Sequence, residues 1–309
     1  MSGVVAVVVT WHRERELDRL LTSLEASSVP PHGCVIMDHA GTVPEEMAAR
    51  SFPVRVVRDL SNPGPGAGWA NGTRMAREIF GETDILYLDD DVVLPAETLG
   101  ILLRERGGAG AICPLLEDGS GHLWGFPEPA LKADRKAIRA AGTPWDALAL
   151  LGPGPHAFCW ATGACLLVTA AALSAAGLHR EDFWMLGEDL EFSMRLTVGG
   201  GAVFTCLVAV PHLPPGQSDE ARARSADYVK FCSLLQNLSY LSFHSPHSRH
   251  MWRYLPGNFR RFFRTHGPRP GSLRDAAFCF WQGALCGHPA GHKSGAALRE
   301  RIARRKLRR

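Results

Sequence analysis

Three consecutive aspartates, Asp89, Asp90 and Asp91, follow directly on the apolar run Ile85-Leu86-Tyr87-Leu88. Like charges this close repel one another unless a cation or strong donors offset them. Hard carboxylate oxygens at the end of a strand suit Mg2+ or Mn2+ shared with the phosphates of a substrate. The other reading of the triplet is a solvated acidic turn ahead of the helix that follows Pro95-Ala96-Glu97. A second acidic pair, Glu188-Asp189, opens a predicted helix and is flanked by Phe183, Trp184 and Phe192. Asp189 there either caps the helix or, partly desolvated among the aromatic rings, serves as a general base. His212 ends a predicted strand between Pro211 and Pro214, either as a structural residue or as a third ligand beside the aspartates.

These residues need a scaffold that brings strand ends together, and the first half of the chain alternates strand and helix in the manner of a wound α/β sheet. Val4–Val9, Cys34–Met37, Val54–Val57 and Ile85–Leu88 read as strands, and Gly108–Pro114 returns to strand after a short helix over Thr98–Arg106. Leu17, Leu20, Leu21 and Leu24 recur at helical spacing between Glu14 and Ala26. A second helix is predicted over Trp69–Phe80, after the Gly-rich stretch from Asn62 to Gly68. Residues 117–157, rich in Gly, Pro and Trp, read as irregular structure bordering a site. Cys159–Val168 reads as one strand, Ala170–Ala176 and Leu190–Thr197 as helices, and Ala202–Val210 as the last strand. After the breaker Pro214-Pro215-Gly216, a helix over Ser225–Phe243 opens a helical, increasingly basic C-terminal region. In the open sheets of such folds, ligands bind at the carboxyl ends of the strands, where the aspartates stand.

The 309 residues, 46% of them hydrophobic, exclude general disorder and the collagenous and mucin-like classes. The net charge of +3 conceals an asymmetry. Residues 1–245 hold 19 basic and 29 acidic side chains, whereas residues 246–309 hold 15 basic and 2 acidic. A basic tail on an acidic body points to an anionic partner. The tail interleaves Arg253, Arg260, Arg261 and Arg264 with Trp252, Tyr254, Phe259 and Phe263, a pattern suited to an anionic membrane surface. Nucleic acid is not expected, because the acidic body would repel a duplex at the crevice. The eight cysteines show no C-x-x-C spacing, as for free thiols in a reducing cytoplasm. Met1 to Val9 has no basic segment before its short apolar run and does not read as a secretory signal. The uncharged stretch Ala157–Leu178 reads as strand and buried helix rather than a membrane span. The expected location is the cytoplasm, with peripheral contact at the inner face of the cell membrane.

The order of motifs resembles family 2 glycosyltransferases with a GT-A fold, most closely the galactofuranosyl- and rhamnosyltransferase branch, from Val4 to about Phe243. Val7-Val8-Val9-Thr10-Trp11 resembles the first strand and its nucleotide-contacting end, and Val35-Ile36-Met37-Asp38-His39 the second, whose Asp faces base or ribose. Asn62 with Gly66-Ala67-Gly68-Trp69-Ala70-Asn71-Gly72 resembles the family's Asn and Gly-rich stretch. Asp89-Asp90-Asp91 resembles the D-x-D metal element, Glu188-Asp189 with Arg195 the E/D-D element, and His212 the metal-binding His. Two positions depart: His39 stands where Asn is common, and Gln236-Asn237 where many relatives have Arg-Asn.

The resemblance implies a GT-A catalytic domain over residues 1–220, with a nucleotide-sugar half to about residue 115 and an acceptor half over 116–220. Residues 221–309 would form a basic helical region with a disordered end. It implies an inverting, Mn2+- or Mg2+-dependent transferase acting on a UDP- or dTDP-sugar and a hydroxyl of a glycan, lipid-linked or small-molecule acceptor. Asp89, Asp91 and His212 would hold the cation, and Asp189, with Glu188 beside it, would deprotonate the acceptor. Thr10, Trp11, Asp38, Asn62, Gly68, Asn71, Asp89 and Asp90 would meet the donor. Trp160, Thr162, Phe183 and Trp184 would line the acceptor pocket or pack in the core. The Ala, Arg and Gly richness fits a bacterial source. Two competing readings are a haloacid dehalogenase-like phosphatase or phosphotransferase, with Asp89 as nucleophile in Asp89-Asp90-Asp91-Val92-Val93, and a catalytically silent sugar-nucleotide binder.

Overall fold

Val5, Ala6, Val7 and Val8 are all fully buried, and alternate residues of this run enter two different apolar layers. That is the signature of a central strand covered on both faces. The computed structural model describes residues 3–125, 127–199, 201–212 and 220–285 together with positions 300 and 304, and gives only the backbone for 220–227 and 250. The breaker at 214–216 and nearly all of the basic end at 299–309 lie outside the described residues.

The strands are β1 (Val4–Thr10), β2 (Gly33–Asp38), β3 (Val54–Arg58), β4 (Asp84–Asp89), β5 (Ala111–Glu117), β6 (Glu128–Pro129), β7 (Pro155–Trp160), β8 (Cys165–Val168) and β9 (Ala202–Pro211). They form one mixed sheet in the order β3-β2-β1-β4-β8-β5-β9-β7-β6. Strands β1 to β4 are parallel to one another, β8 runs antiparallel to both β4 and β5, and β5 and β9 are parallel. Because β1 lies between β2 and β4, the chain reverses its winding there, which is where such sheets open a crevice. Register brings three chemistry-bearing residues to one edge: Thr10 pairs with Asp38, and Val9 with Asp89.

Ten α-helices among the described residues, besides a 3-10 turn at Glu45–Ala48, accompany the sheet: α1 (Glu14–Glu25), α2 (Pro65–Phe80), α3 (Thr98–Glu105), α4 (Lys132–Ala140), α5 (Pro144–Leu151), α6 (Ala170–Ala176), α7 (Glu188–Gly199), α8 (Glu220–His244), α9 (Ser248–His266) and α10 (Pro270–Ala284). Helix α1 buries the four leucines that its spacing marked and carries Glu14 and Glu16 at its positive end. One apolar layer joins α1 and α3 to β1, β2, β4 and β5. The other places Trp69, Tyr87, Phe192 and Phe204 against the opposite face.

Three expectations are corrected. The Gly-rich stretch does not simply precede α2: the helix starts at Pro65, a residue suited to a first helical position, so Gly66, Gly68 and Gly72 lie inside it. A Cβ at Gly72 would fall 2.5 Å from Val7 Cγ1, so absence of a side chain is what lets α2 lie close on β1. Residues 117–157 are not irregular throughout but contain β6, α4 and α5. The pattern of α4 is set by Lys132, Arg135, Lys136 and Arg139 along one face, with Ile138 its only buried side chain, while α5 is announced by a capping box of Thr143 and Asp146. Cys159–Val168 is two strands, because at Ala161 both the N–H and the carbonyl bond the Ser193 hydroxyl, at 3.0 and 3.1 Å, instead of a neighbouring strand.

The chain forms two compact units. The first comprises Met1–Asn62, Gly68–Leu178 and Phe192–Pro215 and contains the whole sheet. The second comprises Pro63–Ala67, His179–Glu191 and Gly216–Arg309. Within the second, α8 is the centre on which α9 and α10 pack, around Cys232, Leu235, Phe262, Ala276 and Cys279. A Cβ at Gly283 of α10 would fall 2.2 Å from the Gln236 carbonyl, so α8 and α10 touch backbone to backbone. All seven described cysteines are buried and unpaired.

Candidate functional site

In the sheet-bearing unit, β4 delivers Asp89 to the crevice edge and the chain turns through Asp90 and Asp91 to Val92. Val92 then forms an isolated antiparallel bridge with His212. The Val93 N–H bonds the Pro211 carbonyl at 3.0 Å, and the His212 N–H bonds the Glu117 carbonyl at 2.7 Å. Backbone bonds from two segments thereby fix where the imidazole stands. Its Nε2 lies 3.0 Å from Asp91 Oδ1 and 3.7 Å from Asp89 Oδ2. One ligand atom from each of Asp89, Asp91 and His212 lies within 4.8 Å of the others. Two carboxylates and an imidazole that converge in this way fit a divalent cation of the Mn2+ or Mg2+ type.

Two neighbours of this group were not signalled by sequence. Arg13 NH1 bridges Asp90 Oδ1 at 2.9 Å and Asp91 Oδ2 at 2.5 Å, so its guanidinium offsets the acidic triplet. Nothing in the sequence separates Arg13 from the other arginines near it. Trp124 stacks on His212 with ring centroids 3.8 Å apart and an interplanar angle of 20°. The Trp content of residues 117–157 was the only sign of it.

The electrostatics follow from burial and crowding. Burial disfavours a charged His212, but the hydrogen bonds and charges of Asp89 and Asp91 outweigh it and lift the imidazole to about 9. Burial raises the Asp90 carboxyl, and Arg13 and the Thr10 hydroxyl pull it back, leaving it at about 6. Burial also lowers His39, against the charges of Asp59 and Asp38.

The remaining expected donor residues of this unit lie on or just beyond β1, on β2, in the segment between β3 and α2, and within α2. Thr10 is buried at the end of β1, and Trp11 beyond it is 56% exposed. The Asp38 carboxylate is fully buried, with Oδ1 accepting from the N–H of Ala40 and Gly41 and Oδ2 from that of Val43. Its visible work is to fold the loop after β2. Asn62 adopts φ 45°, and a Cβ at Gly68 would meet Val9 and His39 at 2.8 to 2.9 Å. The Asn71 amide oxygen accepts from Arg74 at 2.6 Å. Trp160 and Thr162 are half-buried at the β7–β8 connection, where the Thr162 hydroxyl donates to the Gly125 carbonyl at 3.2 Å.

In the other unit, Leu186 holds a left-handed φ of 63° and Gly187 one of 101°, immediately before Glu188 and Asp189. A leucine tolerates that conformation only when its surroundings impose it. Asn237 of α8 supplies the constraint: its Nδ2 donates to the Leu186 carbonyl at 2.7 Å and to that of Met185 at 3.2 Å. The Ser233 hydroxyl donates to Met185 as well, at 2.7 Å. Glu188 is buried and Asp189 half-buried, with Asp189 Oδ1 accepting from the Leu190 N–H at 2.7 Å. Phe183 is fully enclosed, edge-on to Tyr240 and under the Arg180 guanidinium, and Trp184 is buried too. Both therefore pack in the interior of their unit as the structure stands.

No family model and no curated protein matches the sequence. Solved structures do match in three dimensions. The chain is similar to residues 1–349 of S. aureus TarS in complex with UDP-GlcNAc, with TM-score 0.56 and 16% identity over 91% of this chain and 81% of that one. It is similar to GalNAc-T7 with UDP, GalNAc and Mn2+, with TM-score 0.57 and 13% identity over 92% of this chain and 58% of that one. It is similar to the mannosyltransferase PcManGT from Pyrobaculum calidifontis with GDP-Man and Mn2+, with TM-score 0.52 and 15% identity over 99% and 81%. At these identities the likeness establishes the fold, and the fold is GT-A.

Proposed function

We propose that the protein is an inverting, metal-dependent glycosyltransferase that moves a sugar from a UDP- or dTDP-linked donor to a hydroxyl of a glycan, lipid-linked or small-molecule acceptor. One observation carries the reading: Asp89, Asp91 and His212 converge at the strand-end edge of a GT-A sheet. Structures of this fold in complex with UDP-GlcNAc, with UDP, GalNAc and Mn2+, and with GDP-Man and Mn2+ support a nucleotide-sugar donor. A divalent cation held by the three side chains would supply charge stabilisation to a leaving diphosphate.

The chain's own residues have the following parts in this proposal. Asp89, Asp91 and His212 hold the cation, and Arg13 keeps the acidic turn compact before it binds. Thr10, Trp11, Asn62, Gly68, Asn71 and Asp90 border the donor, and Asp38 acts through the loop it folds. Asp189 takes the proton of the acceptor hydroxyl, with Glu188 beside it, and a single in-line displacement then needs no enzyme nucleophile. Trp160 and Thr162 meet the acceptor, while Phe183 and Trp184 shape the segment ahead of Asp189. Residues 1–220 form the catalytic domain and 221–309 its helical extension. Family 2, and the galactofuranosyl or rhamnosyl branch within it, is the placement the motif order favours.

The test is a panel of UDP-, dTDP- and GDP-sugars with Mn2+ or Mg2+, read by thermal shift and then by transfer. Asp189→Asn should lower turnover by about 10²–10⁴-fold while donor affinity is kept. If no sugar nucleotide binds or reacts and simple phosphate esters are cleaved, the phosphatase reading replaces this one. Binding without turnover by any acceptor would favour the silent binder.

A further inference from the structure

Helix α9 carries two stripes side by side. Trp252, Pro256, Phe259 and Phe263 recur at helical spacing along one, and Arg249, Arg253, Arg260 and Arg264 along the next. The apolar stripe faces α10, and between the two helices lies an open groove of about 480 Å3 lined by Trp252, Leu255, Pro256, Phe259, Phe280 and Trp281. Trp252 and Trp281 remain 43% and 52% exposed at its mouth, and Leu273 of α10 is 48% exposed. A monomeric soluble surface rarely leaves so many large apolar groups together in water.

The charge beside the groove is one-signed. Arg249, Arg253, Arg260, Arg264, Arg269 and Arg274 are all exposed, and among the described residues none has a carboxylate partner. The single acid on α9 and α10, Asp275, is buried and accepts from the Tyr228 hydroxyl at 2.8 Å, so it cannot neutralise them. Unpaired guanidinium groups next to half-exposed Trp rings match a layer of anionic headgroups over hydrocarbon. A second copy of the same face would bring further arginines and no exposed acid from α9 or α10 to the contact, so it could not neutralise the stripe. No described helix is long and apolar enough to cross a membrane, so the contact would be peripheral.

We propose that the α9–α10 face docks on an anionic lipid surface, with Trp252 and Trp281 entering the interface and the arginine stripe meeting the phosphates. This goes beyond the transferase reading and does not depend on it. The full chain is floated with phosphatidylcholine vesicles, alone or with about one-third phosphatidylglycerol, at low and high salt. It should associate with the mixed vesicles only, and less as salt rises. Trp252→Ser with Trp281→Ser, and separately Arg253→Glu with Arg260→Glu, should each weaken association by at least about tenfold. All four positions are exposed, and an unchanged circular dichroism spectrum and thermal unfolding report that the variants are folded. The proposal is overturned if the chain ignores the mixed vesicles or if both variants bind as the parent does. It is equally overturned if the variants abolish self-association or single-stranded oligonucleotide binding and leave flotation unchanged.

Discussion

The imidazole Nε2 of His212 lies 3.0 Å from Oδ1 of Asp91, although five strands and five helices separate the two residues along the chain. The pair is held from the backbone, by the Val92–His212 bridge and the bond from His212 N–H to the Glu117 carbonyl. Neither side chain therefore needs a ligand to be in place. His212→Ala or Asp91→Asn should each reduce Mn2+ affinity by more than the roughly 10–100-fold typical of outer-shell partners. Titration calorimetry or Mn2+ paramagnetic resonance measures the loss, and unchanged affinity in both variants would place the cation elsewhere.

The same pair makes metal binding pH-dependent. With its pKa lifted to about 9, His212 of the metal-free protein is protonated at neutral pH, whereas a ligand must offer a neutral nitrogen. Apparent Mn2+ affinity should rise with pH up to about 9, with proton uptake by buffer when binding is followed near pH 7. For stability the sign is opposite. A raised pKa stabilises the metal-free fold fully below the unfolded value of about 6.5, and the contribution is lost as pH climbs through 9. The metal-free melting temperature should therefore fall over that window, and a flat profile would contradict the charge pairing.

Arg13 offsets two buried carboxylates, so Arg13→Ala should leave Asp90 and Asp91 with uncompensated charge. Breaking a fully buried pair costs about 3–5 kcal/mol, but the Arg13 side chain is 33% exposed, so a loss of about 1–3 kcal/mol is expected. Mn2+ should restore much of it by supplying the missing positive charge. Denaturant unfolding with and without the ion separates this from a packing defect, which the ion would not repair.

Asn237 and Leu186 give a paired test of backbone strain. Asn237→Ala removes the amide donor from the Leu186 carbonyl and one of two donors from that of Met185, and should cost about 1–3 kcal/mol, with turnover falling more than donor affinity if the segment aims Asp189. Leu186→Gly relieves the left-handed φ but loosens the unfolded chain, two effects of about 1 kcal/mol that nearly cancel. Kinetics and unfolding on both variants decide it. A larger loss for Leu186→Gly than for Asn237→Ala would show that the leucine side chain, and not the amide, holds the segment.

Local pattern carried the elements whose faces are strongly apolar. The β-branched run at Val4–Val9 and the apolar strand entering Asp89 stand where their unbroken apolar runs place them, because both sheet faces are covered, and the leucines of α1 stand at helical spacing because one helix face is buried. Helix α4 was missed because its pattern lies in Lys132, Arg135, Lys136 and Arg139 rather than in an apolar stripe, Ile138 being its only buried side chain. The acidic triplet was legible as charge that simple packing does not explain, and Glu188-Asp189 and His212 as residues open to a capping or structural role as well as a chemical one. What sequence could not contain was partnership. Arg13 against Asp90 and Asp91, Trp124 over His212, and Asn237 on the Leu186 carbonyl each join residues remote in the chain and ordinary in type. Residue type and spacing thus determined which groups could do chemistry. Strand register and the order β2-β1-β4 decided which of them meet, because contacts across a sheet depend on pairing partners that no local stretch encodes.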